Sequence, residues 1–434
     1  MNDALEDFYD KLQDLVIDQA RRLINQSQYT KTLLSSLPVA ILATDADGRI
    51  QTMNQIAEKI LATDLADIKD QPITSLFPNS PEVISQLDST LLEGRTHHMR
   101  SENLSLNSGK KIVGNLYLQP LTDDEQQICG LLMTIEDRTY IHFLTDAFRR
   151  YVPPSVSEII AKEPSRLQLG GEEKELTVLF SDLEGFTTHS ERLPPRRIVE
   201  ILSDYFKEMT DEIFKYEGTL KEYVGDEMMA IFGAPIDQPD HAGRACAAAL
   251  AMSEKAQKLR TEWKKQGRPP LYARTGINSG PMLVGNLGSP YRFSYGVMGD
   301  QVNLASRLEG LNKIYGTEII IGENTAGLLD DGFVLRELDY VRVKGRKQAI
   351  SIYELVSHAE QPRLEKQEDI ILYYGAGLDD YRRKKWAAAL KNFQKVLTYR
   401  PDDGPAAEMI RRLHFFEETP PGPDWDGIYE QLNK

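Results

Sequence analysis

A chain of 434 residues, 41% hydrophobic and 27% charged, has the length and balance of an ordinary soluble protein of about two to four domains. Its 51 basic and 66 acidic residues leave a formal net charge of −15, which repels a polyphosphate backbone and argues against nucleic acid as a partner. Cys129 and Cys246 lie far apart with no metal-ligand spacing, and no apolar run approaches the roughly 18–20 residues that cross a bilayer, so neither a disulfide scaffold, a zinc site nor a membrane span is expected. With no signal-peptide core at its start, the chain reads as cytoplasmic.

Residues 1–31 open with a helix over 3–28, where Leu5, Phe8, Leu12 and Leu15 fall at helical spacing; it would pack on its own domain or pair two chains. Residues 32–139 read as a separate α+β domain. Val39–Asp45 and Ile50–Met53 are strands joined by the turn Asp45-Ala46-Asp47-Gly48-Arg49, and Asn54 starts a helix. Three further strands are expected at His98–Leu106, Lys111–Leu121 and Ile128–Glu136, with His97 and His98 a solvated pair in a loop. Two strands, short helices and three strands, with Asp45…Gly48-Arg49-Ile50…Asn54…Ala57, resemble a PAS sensor domain.

Residues 140–173 read as a connector. Ile141, Leu144, Phe148 and Tyr151 recur at helical spacing until Pro153-Pro154 interrupts them, as a docked helix or a parallel coiled coil between dimeric domains would require. Residues 174–358 alternate strands and helices, so the chain is α+β and multidomain. In 359–434, Tyr374, Leu378, Tyr381 and Trp386 and then Leu390, Phe393, Val396 and Leu397 describe two amphipathic helices ending at Pro401-Asp402-Asp403. This resembles one tetratricopeptide-like hairpin, followed by a Pro-rich tail.

The chemistry concentrates in 174–358. Leu176–Phe180 is a buried-strand pattern that runs into Ser181-Asp182-Leu183-Glu184-Gly185-Phe186-Thr187, placing a carboxylate and a Gly turn at a strand end. About forty residues later, Lys221-Glu222-Tyr223-Val224-Gly225-Asp226 forms the first half of a hairpin whose turn carries Asp226. Two carboxylates brought together repel unless a cation lies between them. Further on, Gly296-Val297-Met298-Gly299-Asp300-Gln301-Val302-Asn303 leads into a helix with Asn303 and Arg307 on one face, and Val343-Lys344-Gly345-Arg346 closes the region.

In this order and spacing the four elements resemble the class III adenylate and guanylate cyclases. The resemblance implies a ferredoxin-like βαββαβ core that works as a homodimer, a phosphorus–oxygen lyase that cyclises a nucleoside triphosphate with loss of pyrophosphate. Asp182, Asp226 and the Leu183 carbonyl would hold two Mg²⁺ (or Mn²⁺) ions per site, and backbone N–H groups around Phe186 and Thr187 would hold phosphate. From the partner chain Asn303 would orient the ribose and Arg307 would meet charge at the α-phosphate. Lys344 would hold the terminal phosphates. A diguanylate cyclase would need a Gly-Gly-Asp/Glu hairpin at the site, whereas Gly170-Gly171-Glu172 lies in the linker ahead of the first strand.

The base is read, by the same resemblance, four residues before Asp226, where adenylate cyclases carry Lys and guanylate cyclases Glu. Glu222 stands there, with Lys221 beside it. Neighbouring strand residues point to opposite faces, so only one of them can enter the pocket. A carboxylate accepts, and guanine offers N1–H and its 2-amino group, so GTP is expected with ATP the alternative. The second base-reading position falls on Gly296, which has no side chain.

Overall fold

The computed structural model describes residues 22, 25, 26, 28, 29, 32–163, 168–186, 193–343, 348–361, 365–422 and 424–430. The leading helix expected over 3–28 therefore falls largely outside the described residues, as do Thr187 and Lys344. Among the described residues no helix is long and apolar enough to cross a membrane. The chain divides into two compact units at residue 150.

In the first unit, strands β1 (Ala40–Thr44) and β2 (Ile50–Met53) precede helices α1 (Gln55–Leu61), α2 (Leu65–Ile68) and α3 (Pro81–Glu93). Strands β3 (His97–Ser105), β4 (Lys111–Thr122) and β5 (Ile128–Asp137) follow, and helix α4 (Thr139–Tyr151) closes the unit. The sheet runs β2-β1-β5-β4-β3. Asn54 pins its start: the side chain accepts from the N–H groups of Ala57 and Ile41 and donates to the carbonyls of Leu34 and Val39. One residue thus caps α1 and ties it to the segment before β1. The loop expected at His97 and His98 is instead the start of β3. His98 stacks on Tyr117 of the neighbouring strand at 3.9 Å, and that cross-strand contact extends the pairing.

The second unit opens with α5 (Pro154–Lys162) and β6 (Gly170–Leu183), followed by α6 (Pro195–Lys215), β7 (Thr219–Val224), β8 (Glu227–Phe232), α7 (His241–Lys265) and β9 (Ala273–Ser289). This is a βαββαβ unit with strand order β9-β6-β8-β7, the ferredoxin-like arrangement. The sheet then grows beyond β9. Strand β10 (Arg292–Met298), helix α8 (Asp300–Tyr315), β11 (Ile319–Gly322), α9 (Glu323–Gly327), β12 (Phe333–Arg342) and β13 (Ile350–His358) come next in the chain. Among the described residues the sheet has nine strands, in the order β14 (Tyr429–Glu430)-β12-β13-β11-β9-β6-β8-β7, with β10 pairing β9.

Strand β6 is apolar on both faces. Leu179 and Leu183 pack with α6 and α7, while Leu176, Val178 and Phe180 pack with β10 and α8. The strand begins earlier than its hydrophobic pattern: Gly170-Gly171-Glu172, expected in a linker, pair with Asn286, Gly285 and Val284 of the long β9. Main-chain bonding needs no apolar side chain, so the boundary expected at 173/174 falls inside a strand.

The C-terminal region holds α10 (Gln367–Arg382), α11 (Trp386–Tyr399) and α12 (Gly404–Glu418), then β14 (Tyr429–Glu430). The expected hairpin is thus extended by a third helix. The segment that ends α11 also starts a helix: the Asp403 side chain accepts from the N–H of Ala406, and Pro405 occupies the first turn. The three helices share one core with α8, β12 and β13.

Candidate active site

Asp182 follows Phe180 by two residues, so alternation sets it on the β10 and α8 face at the end of a buried strand. The β6–β8 register pairs Ser181 with Met228, which brings the β7–β8 turn alongside. Gly225 takes φ 67° in that turn, a conformation costly for any residue with a Cβ. The Asp182 and Asp226 carboxyls share a hydrogen bond. Burial pushes the Asp182 carboxyl up to about 7, helped by the charge of Asp226 and that bond, while the Leu183 N–H opposes the shift. Two carboxyls can bond directly only if a proton lies between them.

Past the strand end, Glu184 donates its N–H to the Tyr272 carbonyl at 2.7 Å and its carboxylate pairs with Arg274 at 2.6 Å. Arg274 is the cross-strand partner of Asp182. The ring of Phe186 is buried among α6 and α7, which anchors the backbone of the turn.

Helix α8 lies against β9 where Gly276 allows it. A Cβ on Gly276 would come within 2.2 Å of the Glu309 nitrogen and 2.3 Å of the Ala305 carbonyl. Asn303 on this helix is exposed. Arg307 carries an Nη1 that is buried without a hydrogen-bond partner among the described residues. A buried, unsatisfied guanidinium nitrogen is costly to keep and fits a group held for an anion. Glu309 is pushed up to about 7 by burial and then by the charge of Asp182, with Arg274 opposing.

The strand β7 departs from simple alternation. Leu220 pairs with Ala230, Glu222 pairs with Met229, and the register shifts between them, so Lys221 is an inserted bulge residue. Leu220 and Tyr223 turn toward α6, Tyr223 stacking on Phe206 at 4.2 Å. Met229 packs on the β10 side, and its partner Glu222 shares that face. Lys221 also goes there: a Cβ on Gly296 would meet its Cε at 2.7 Å. The expectation that only one of the pair can enter is thereby corrected, because the bulge puts both on the same face. Their charged ends lie 3.3 Å apart, with Lys221 15% exposed and Glu222 51% exposed.

Residues 171–357 match the adenylate and guanylate cyclase catalytic domain, and residues 34–140 match the PAS fold. Adenylate cyclase 1 of Rhizobium meliloti is 36% identical over 212 residues, 48% of this chain and 31% of that protein. The adenylate cyclase of Anabaena cylindrica is 36% identical over 221 residues, 48% of this chain and 43% of that one. The crystal structure of the guanylyl cyclase Cya2 is 37% identical and covers 45% of this chain and 98% of that chain, with a TM-score of 0.41. The chain carries the catalytic domain of the class III nucleotide cyclases. It spans less than half the length of the two adenylate cyclases it matches.

The cyclase domain brings Asp182, Leu183 and Asp226 together, and separately Lys221, Glu222 and Gly296. Among the described residues no group of three or more His, Cys, Asp or Glu side chains is arranged to hold a metal. The aspartate pair nevertheless fits a divalent cation: two hard oxygen ligands in contact retain a proton that a cation would displace. Sequence reasoning missed Arg274 and Glu309. Their signal was present: a charged residue opens β9 directly before the apolar core, and an acid interrupts the apolar positions Ala305, Leu308 and Leu311 of α8.

Proposed function

We propose that this cyclase converts a nucleoside triphosphate to the 3′,5′-cyclic monophosphate and pyrophosphate in a homodimer, under control of its PAS domain. The observation that carries the reading is the contact between Asp182 and Asp226, a half-buried acidic pair suited to metal. Asp182, Asp226 and the Leu183 carbonyl would hold two Mg²⁺ or Mn²⁺ ions. When bound, such ions make the ribose 3′-hydroxyl more acidic and neutralise the departing pyrophosphate. The backbone at Phe186 and Thr187 binds phosphate oxygens, and Lys344 holds the terminal phosphates. Asn303 and Arg307 reach the site from the partner chain, Asn303 orienting the ribose and Arg307 countering charge at the α-phosphorus. The exposure of Asn303 supports a role toward a second molecule, and the unsatisfied Nη1 of Arg307 supports a role toward an anion.

For the base, Lys221 lying over Gly296 favours ATP. Its ammonium donates to adenine N1, and Glu222 accepts from the 6-amino group. The two curated relatives are named as adenylate cyclases, which agrees. The second reading is GTP, favoured by Glu222 standing four residues before Asp226 and able to accept from guanine N1–H and the 2-amino group.

Turnover with ATP and GTP side by side decides between them. The parent should turn over ATP faster than GTP, and Lys221→Ala should lower ATP use more than GTP use. A parent that favours GTP and loses that use on Glu222→Ala would establish GTP instead. Asp182→Ala and Arg307→Ala should each cost about a hundredfold or more in kcat. Turnover unchanged in both would remove the cyclase reading.

A further inference from the structure

The C-terminal helices meet the catalytic domain at two places that matter for the proposed chemistry. The first is the C-terminal end of α8, the helix that carries Asn303 and Arg307. Tyr315, its last residue, donates its hydroxyl to Asp339 of β12 at 2.7 Å. Arg412 of α12 donates to the same Asp339 oxygen at 2.6 Å and to the Tyr315 hydroxyl at 3.1 Å. All three side chains are buried. A Cβ on Gly404, where α12 begins, would come within 2.4 Å of the Tyr315 carbonyl, so α12 abuts the end of α8 backbone to backbone.

The second place is the end of β12. There β14 pairs in parallel, Tyr429 with Val341 and Glu430 with Arg342, two residues before Lys344. The guanidinium of Arg412 covers the Tyr429 ring at 3.7 Å. Leu304 and Leu308, which flank Asn303 and Arg307 in sequence, belong to the same apolar core as Tyr374, Phe393 and Met409 of the C-terminal helices. A single arginine therefore joins α8, β12 and the returning strand.

Resting on the two-subunit reading above, we infer that Arg412 is a positioning residue for the half of the active site that each chain gives to its partner. Through Tyr315 and Asp339 it fixes α8 along its axis, and through Tyr429 it braces the strand that leads to Lys344. Asp182 and Asp226 stand on other elements, β6 and the β7–β8 turn, whereas Arg412 reaches Glu408, Asp339, Tyr315 and Tyr429. A buried guanidinium bonded to a carboxylate and a phenol holds its partners in one geometry, and displacement by about an ångström is enough to cost catalysis heavily.

The test uses full-length chains carrying two different tags. One chain has Asp182→Ala and can supply only the Asn303 and Arg307 half. The other has Arg307→Ala and can supply only the metal half. Their heterodimer holds one working site. Arg412→Met is then placed on either chain. On the Asp182→Ala chain it should lower kcat by about tenfold or more, with cation dependence unchanged. On the Arg307→Ala chain it should change kcat by less than about twofold. Equal losses in both placements, or no loss in either, would overturn the inference. An inactive heterodimer without Arg412→Met would instead count against the two-subunit reading. If the Arg412→Met chain gives no cooperative thermal unfolding, Tyr315→Phe removes one hydroxyl from the same triad and is read by the same asymmetry.

Discussion

Asp182 carries a proton at a pH where an ordinary aspartate has lost it, because burial and Asp226 both oppose its charge. Its ordinary value is 3.8 and its folded value about 7, so within that window the native chain binds a proton that the unfolded chain releases. Stability without metal should therefore fall as pH rises from about 4 through about 7. Mg²⁺ or Mn²⁺ must displace that proton, so the rise in Tm on adding cation should grow over the same window. Asp182→Asn should flatten both trends, and Glu309, whose upward shift comes first from burial and then from Asp182, should shift less in that variant. Parent and variant profiles that run parallel from about pH 5 to about pH 8 would contradict the assignment. Asp182 and Asp226 were legible in the sequence because a buried-strand pattern and a turn signal each ended on an acid. The sharing of one face by Lys221 and Glu222 was not. Alternation over a short strand assumes an unbroken ladder, and nothing in Leu220-Lys221-Glu222 announces the inserted residue.

At the scale of elements, α8 comes backbone to backbone with β9. Gly276 has the Glu309 nitrogen and the Ala305 carbonyl where its Cβ would be, and Asn312 donates to the Thr275 carbonyl at 2.9 Å one residue away. Gly276→Ala must push backbone against backbone, so α8 has to lift. The expected cost is about 1–3 kcal/mol of stability, read by urea unfolding. Since Asn303 and Arg307 ride on this helix, turnover should fall by about tenfold or more in variant protein that is still folded. A variant that keeps the parent's midpoint and rate would show that the helix has room it does not have here. The spacing of Asn303 and Arg307 made α8 readable. The missed third C-terminal helix has a different cause. Pro401-Asp402-Asp403 does end α11, and an Asp with Pro two residues later is equally the opening of the next helix.

Across the whole molecule, the proposed activity asks for two chains, and α4 in the first unit offers a surface suited to joining them. Ile141, Leu144 and Phe148 recur along it at helical spacing, and they are 50%, 44% and 43% exposed. A row of large apolar side chains left in water on one helix is the mark of a face awaiting a partner, and a parallel pair of such helices buries it. The spacing was legible in the sequence because the helix is uninterrupted before Pro153; the apolar character of the face needed nothing beyond residue identity. Placing Lys at both Ile141 and Leu144 puts like charges opposite one another in the pair and should weaken dimerisation by about tenfold or more, equivalent to about 1.4 kcal/mol. Sedimentation at falling concentration measures this directly. Turnover per chain should fall in step with dimer content, because an isolated chain has aspartates with no Arg307 to face them. A double variant that becomes monomeric yet keeps its turnover would mean that the catalytic groups are completed within one chain.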